Sequence, residues 1–172
     1  MRNHIKTALL VVSALTLAGQ SARAQEAANA AEFTLTEFRD TASGLSFKRP
    51  TSWTQDRTFK GGVRFAGGDE WLTVQLVRTA QTPQAYLAGL RLPVTEKSIG
   101  VKPFTQGSFS AQVQSSSAQG QSGVTGKPLS LLIDRWVFAP KAGQLAVLSV
   151  SGPQKVFDWE GNRDMALSLR LK

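Results

Sequence analysis

The chain contains no cysteine. Disulfides, thiolate zinc sites, iron–sulfur clusters and a cysteine nucleophile are therefore excluded, as is the lipid-bearing cysteine of a lipoprotein anchor. Histidine is almost as scarce, since His4 is the single one. It falls in an N-terminal stretch that reads as a secretory signal. Arg2 and Lys6 form the positive region, residues 8–18 the apolar run, and Ala22-Arg23-Ala24 a small-x-small cleavage site. Cleavage near Ala24 leaves a mature chain with neither histidine nor cysteine. Ser-His-Asp and Cys-His catalysis, imidazole zinc sites and histidine pH sensing are then ruled out. A catalyst would have only carboxylates, lysines, Tyr86 or a bound cofactor to work with. Long hydrophobic runs are missing too. Residues 8–18 fall well short of the ~20 apolar residues a span requires, so no transmembrane segment is expected in the mature chain, which is placed in the periplasm or outside the cell.

The 172 residues suffice for one domain with its own core, and the balance of 41% apolar to 19% charged residues is that of a globular protein. The expected organisation is a signal over residues 1–24, a flexible leader over 25–35 and a single domain over 36–172. The whole chain carries 20 basic and 12 acidic residues, a net charge of +8. Loss of Arg2, Lys6 and Arg23 leaves 17 against 12, a net +5.

The segments after the leader are mostly strands. Residues 38–53 read as a short strand, a Ser43-Gly44 turn, a second strand stopped at Pro50, and Trp53 opening a third. Residues 53–59 and 63–65 suggest a hairpin whose Lys60-Gly61-Gly62 loop places Phe59 opposite Val63. The alternation over residues 70–78 is clean, with Leu72, Val74 and Leu76 on one face and Trp71, Thr73 and Gln75 on the other. Thr82-Pro83 is a helix start, with Tyr86, Leu87 and Leu90 on its apolar face and Pro93 as its stop. Residues 107–114 alternate again. The Ser/Gln/Gly tract over 115–126 is too polar to pack and reads as a long mobile loop. Residues 129–138 and 145–150 are apolar on both faces, which predicts central strands covered from both sides. Asp158 is placed to cap a terminal helix that turns Trp159, Met165, Ala166 and Leu169 inward. The predicted class is α+β, an α/β/α sandwich in which a central antiparallel sheet carries helices on both faces.

The run Gly44-Leu45-Ser46-Phe47-Lys48-Arg49-Pro50-Thr51-Ser52-Trp53, with its Phe-x-x-Pro-x-x-Trp pattern, resembles the opening of the PsbP/Mog1p-like superfamily. A glycine-pair hairpin, the strand at Trp71, a helix, two long strands and a terminal helix ending Leu167-Ser168-Leu169-Arg170 follow in the order seen in that family. The resemblance spans residue 36 to the C-terminus and implies an α/β/α sandwich around an antiparallel sheet. It also implies an interaction protein rather than an enzyme. Family members include extrinsic photosystem II subunits that help retain calcium and chloride, binders of a nuclear GTPase, and secreted bacterial proteins. The photosystem role does not carry over, because nothing in the sequence points to a photosynthetic host, nor does the nuclear one, because the signal directs the chain outward.

Three sets of residues are candidates for chemistry. Asp69 and Glu70, beside Gly67-Gly68, can offer oxygen ligands to a hard cation such as calcium, but without the regular ligand spacing of a calcium loop, so a solvated turn is the plainer account. Asp158, Glu160 and Asp164 are a possible acid/base set, although helix capping and the helix dipole are the plainer account of acids there. Lys48, Arg49, Arg57, Lys60 and Arg64 form a basic set able to dock on lipid headgroups, a cell-wall polymer or an acidic protein, with a solvated basic face as the plain alternative. Trp71 is the aromatic residue placed to reach the surface beside them. No nucleic-acid motif is present, and the glycine pairs lack the following lysine and helix of a phosphate loop. No cofactor is called for beyond a possible calcium. The expected function is a secreted, non-catalytic binding or accessory module that docks on an anionic partner at the cell envelope. The alternatives are a carboxylate-based extracytoplasmic hydrolase and a cation-dependent accessory protein of the photosystem type.

Overall fold

The computed structural model describes residues 34–172. The signal, its cleavage site and nearly all of the leader lie outside these residues. Twelve elements follow in order. They are β1 (Leu35–Asp40), β2 (Leu45–Pro50), β3 (Thr54–Gln55), β4 (Val63–Gly67), β5 (Glu70–Arg78), α1 (Pro83–Gly89), β6 (Glu96–Gln106), β7 (Phe109–Gln121), β8 (Pro128–Lys141), β9 (Gln144–Pro153), α2 (Trp159–Ser168) and β10 (Arg170–Leu171). Every strand pairing is antiparallel. None of the helices among the described residues is long and apolar enough to cross a membrane.

The strands form two sheets rather than one. A seven-stranded sheet has the order β3-β4-β5-β9-β8-β7-β6, and a three-stranded sheet the order β1-β2-β10. The opening segment thus pairs with the C-terminal end of the chain instead of joining the large sheet. It still packs on that sheet: Leu45 and Phe47 share a buried cluster with Phe65, Leu72, Val74, Trp136, Leu148 and Val150. Phe38, Phe47 and Phe65 meet there with ring centroids 5.1–6.0 Å apart, mostly edge to face.

The long central strands behave as their composition requires. In β8 the side chains of Trp136 and Phe138 enter that large cluster, together with Met165, Ala166 and Leu169 at α2. Val137 instead joins Leu145, Val147 and Leu87 of α1 in a second cluster, flanked by Tyr86 and Leu90. Both predicted caps are in place. The Thr82 hydroxyl accepts from Ala85 N at 3.2 Å, and an Asp158 carboxylate oxygen accepts from Glu160 N at 3.1 Å. Helix α1 ends at Gly89, before Pro93 can stop it.

Three expectations are corrected. Residues 115–121 are not a loop. They continue β7, paired to β8 throughout and to β6 as far as Ala118, and only the turn around residues 122–127 is left of the expected loop. Ladder hydrogen bonds are made by the backbone, so a central strand tolerates small polar side chains once these find partners of their own. The predicted strand over 53–59 is reduced to Thr54–Gln55. The Asp56 carboxylate accepts from Thr58 N at 2.9 Å and from its hydroxyl at 2.6 Å, turning the chain out of the ladder. The register, Gln55 opposite Phe65, also removes the proposed pairing of Phe59 with Val63. Finally, β6 was not expected at all. Most of its residues are exposed on both faces, so it carries no alternation, and Pro103 is accommodated because the strand lies at the sheet edge.

Candidate functional site

The five cations grouped by sequence do not share one surface. In β2, Leu45 and Phe47 turn inward, so alternation sends Arg49 to the same side and Lys48 to the other. The Arg49 guanidinium lies 4.6 Å from the centre of the Phe65 ring. Its Nη1 donates to the carbonyls of Pro50 (2.8 Å), Thr51 (3.3 Å) and Trp53 (2.8 Å). It closes the turn that follows β2. Lys48 is exposed and sits opposite Glu37 of β1. Its backbone N–H donates to the Ser168 hydroxyl at 2.7 Å, fastening β2 to the end of α2.

Arg57, Lys60 and Arg64 remain together at the β3–β4 corner. The Arg64 guanidinium stacks 4.1 Å from the centre of Phe59 and 5.8 Å from that of Trp71, with Asp56 at 3.8 Å. Trp71 is half-buried, as its place opposite Leu72 in the alternation suggested. The intervening loop is fastened at both ends, by the Asp56–Thr58 turn and by Gln75 Nε2 donating to the Gly61 carbonyl at 2.9 Å. Gly62 has φ 145°, and a Cβ there would collide with the carbonyl of Val74, so only glycine lets the loop close this tightly. Hydrogen bonds from the Thr58 hydroxyl and N–H, helped by the Arg64 charge, hold the Asp56 carboxyl below its usual range. The corner therefore presents two exposed cations, Arg57 and Lys60, beside a guanidinium that lies over the Phe59 and Trp71 rings.

Asp69 and Glu70 point to different tasks. Asp69 accepts from the Ser122 hydroxyl at 2.7 Å and from Gly123 N at 2.8 Å, so both of its oxygens clamp the β7–β8 turn. Glu70 lies against Gly152, and burial, followed by the nearby Asp158 charge, pushes its carboxyl up. Among the described residues no group of three or more acidic or histidine side chains is placed to hold a metal ion. Of the second acidic set, Asp158 caps α2, Glu160 sits in its first turn and Asp164 accepts from the neighbouring Arg163 at 3.2 Å.

The structure also assembles groups that sequence reasoning passed over. Glu96 opens β6 with its side chain only 3% exposed, and Arg135 of β8, 13% exposed, grips it. One guanidinium nitrogen reaches Oε2 at 2.8 Å, the other a shorter contact with Oε1, which also accepts from the Ser116 hydroxyl. Burial pushes the Glu96 carboxyl up, but the bonds from Arg135 and Ser116 and the Arg135 charge outweigh it and hold it below the usual range. Nearby, Asp134 accepts from the Ser115 hydroxyl at 2.6 Å, and burial drives its carboxyl upward. The available signal was the charged pair Asp134-Arg135 inside an otherwise apolar run. Such charges in a central strand require buried partners.

No protein-family model matches the sequence, and no curated protein matches it. Solved structures do. A Bacteroides thetaiotaomicron protein superposes with a TM-score of 0.58 at 10% identity over 79% of this chain, which spans about half (48%) of that protein. The Saccharomyces cerevisiae Ran-binding protein Mog1p gives 0.54 at 10% identity, covering 81% of this chain and 96% of Mog1p. The Synechocystis PsbP protein CyanoP gives 0.50 at 16% identity, with 83% and 95% covered. The chain thus has the PsbP/Mog1p-like fold that its Phe-x-x-Pro-x-x-Trp opening resembled.

Proposed function

We propose that this protein is a non-catalytic binding or accessory module of the cell envelope that docks on an acidic protein through the Arg57–Lys60–Arg64 corner. The observation that carries the reading is the Arg64 guanidinium lying over the Phe59 and Trp71 rings. A cation fixed on aromatic rings loses little freedom on binding, and Arg and Trp are the residue types that dominate protein interfaces. Lys48 and Arg49 stand apart from this corner. The scaffold is read as an α/β/α sandwich, because Trp136 and Val137 alternate in β8 and lead to α2 and α1 respectively. Mog1p, which shares the fold, is a Ran-binding protein, and this favours a binding role over catalysis. The hydrolase alternative needs a carboxylic acid with a raised pKa beside a second carboxylate in one cleft. Glu70, raised by burial and by the nearby Asp158 charge, is the acid that comes nearest to this requirement, whereas Glu37, which shares a hollow with Asp164 and another with Asp40, has its carboxyl lowered by the Arg39 hydrogen bond, the wrong direction for a general acid.

The test is capture of partners from an envelope fraction with the wild-type protein and with an Arg57→Glu/Lys60→Glu/Arg64→Glu variant. A partner lost in high salt and lost to the variant is the expected result. A partner held equally by both proteins would refute the corner as the docking site.

A further inference from the structure

Lys48, separated from its sequence neighbours, has acquired others. The outward side of the β1-β2-β10 sheet carries Ser46 and Lys48 from β2, Glu37 and Arg39 from β1, and Arg170 from β10. The register places Arg39 and Arg170 on either side of Ser46, and Glu37 directly across from Lys48. Lys172 follows β10, its backbone N–H donating to the Gly44 carbonyl at 3.1 Å, and adds a fourth cation. Arg39, Lys48, Arg170 and Lys172 are all exposed. The acid among them, Glu37, is paired to Arg39 at 2.8 Å. Its carboxyl is held down first by that hydrogen bond and then by the charges of Arg39, Lys172 and Lys48, so three of the cations converge on one place. At the rim, Asp40 accepts from the Ser43 hydroxyl at 2.6 Å and from Ala42 N at 3.2 Å, while Asp164 is matched by Arg163 at 3.2 Å.

We propose that this face of the small sheet rests on an anionic lipid surface, its cations meeting phosphate headgroups. Adjacent strands lie about 4.8 Å apart, so Arg39 and Arg170 spring from backbone about 10 Å apart with Ser46 between them. This is the spacing of an array meeting a plane of charges, not of a pocket closing on one anion. The hollows on this side, of about 540 and 520 Å³, are broad and open. None of the outward residues is aromatic, so the face lacks the anchor that a protein interface favours and that the Arg64 corner possesses. The two surfaces are separate, and either reading can fail without the other.

The test is co-sedimentation of the full chain with vesicles of phosphatidylglycerol in phosphatidylcholine, and with phosphatidylcholine alone. Arg2, Lys6 and Arg23 of the N-terminal stretch also favour anionic vesicles, so the share of the charged face is read from the two variants compared with wild type, all of which carry that stretch. Wild-type protein should bind the anionic vesicles more tightly, and lose that excess in high salt. Lys48→Gln/Lys172→Gln, at two exposed side chains, should weaken the excess by roughly twenty-five-fold, about fivefold for each lysine at an anionic surface. Arg57→Gln/Lys60→Gln removes the same charge elsewhere and should change it by less than about twofold. No preference for phosphatidylglycerol, equal loss in the two variants, or binding to polyglutamate without binding to the vesicles would each overturn the proposal.

Discussion

Replacing Arg135 with methionine keeps the bulk of the side chain and removes the guanidinium that grips Glu96 in β6. The carboxylate would then be buried with the Ser116 hydroxyl as its remaining donor. Breaking a buried ion pair from one side costs about 3–5 kcal/mol, because the surviving charge keeps its desolvation penalty and loses its partner. For a domain of this size that is a fall in Tm of about 10–15 °C. The pH dependence makes the test specific. In the wild type the Glu96 carboxyl lies below its ordinary value of 4.5, so the stability it contributes is present above that value and is lost as the pH falls through the lowered one. In the variant, burial is opposed by the Ser116 hydrogen bond alone and raises the carboxyl. The penalty is then greatest near neutral pH and is relieved by protonation. Thermal unfolding followed by circular dichroism should show the gap between variant and wild type narrowing from neutral pH to about pH 4. Glu96→Leu/Arg135→Met, which removes both charges, should recover most of the loss. A deficit of less than about 1 kcal/mol, or one that does not change with pH, would refute the account of the pair.

Two further substitutions probe the acids that sequence reasoning had offered to calcium. Glu70→Gln should raise Tm by about 2–4 °C near neutral pH. Burial and Asp158 raise the Glu70 carboxyl, so its charged form is penalised in the folded state at neutral pH, and the gain should vanish as the pH falls below the ordinary value of 4.5. A gain that persists in acid would point to packing instead. Asp69→Ala should cost about 1–2 kcal/mol and speed hydrogen exchange at Gly123, since it releases the bonds from Ser122 and Gly123. Added calcium should leave the wild-type Tm unchanged; a rise with calcium concentration would show that these oxygens bind the ion rather than the turn.

The parts of the fold that were legible in sequence are those whose cause is local. Thr82-Pro83 and Asp158 state a cap chemistry that needs no distant partner, and the alternation from Trp71 to Leu76 reports one face of a sheet directly. Residues 96–106 and 115–121 were unreadable because their signals lie elsewhere. The first borders solvent on both faces, and the second is held by Glu96, Arg135 and Asp134, which are remote in sequence. The basic site failed for a related reason. Adjacent cations in a strand point to opposite sides, so Lys48 and Arg49 were certain to part, while Arg39 joins Lys48 through the β1–β2 hairpin and Arg170 and Lys172 join them only after the two ends of the domain pair. Arg64 stood in the basic set, but its stacking on Phe59 depends on Phe59 leaving the expected ladder.

Strand β10 is two residues long, yet it completes the sheet begun by β2 more than a hundred residues earlier. A chain emerging from its N-terminus makes β1 and β2 first and must wait for almost all the remainder before the second edge of β2 is covered. Until then the edge is an open template for pairing with other chains. Contacts of such long sequence separation also slow folding. Loss of Arg170 and Leu171 alone would then leave a protein that keeps its large sheet but is prone to associate through β2.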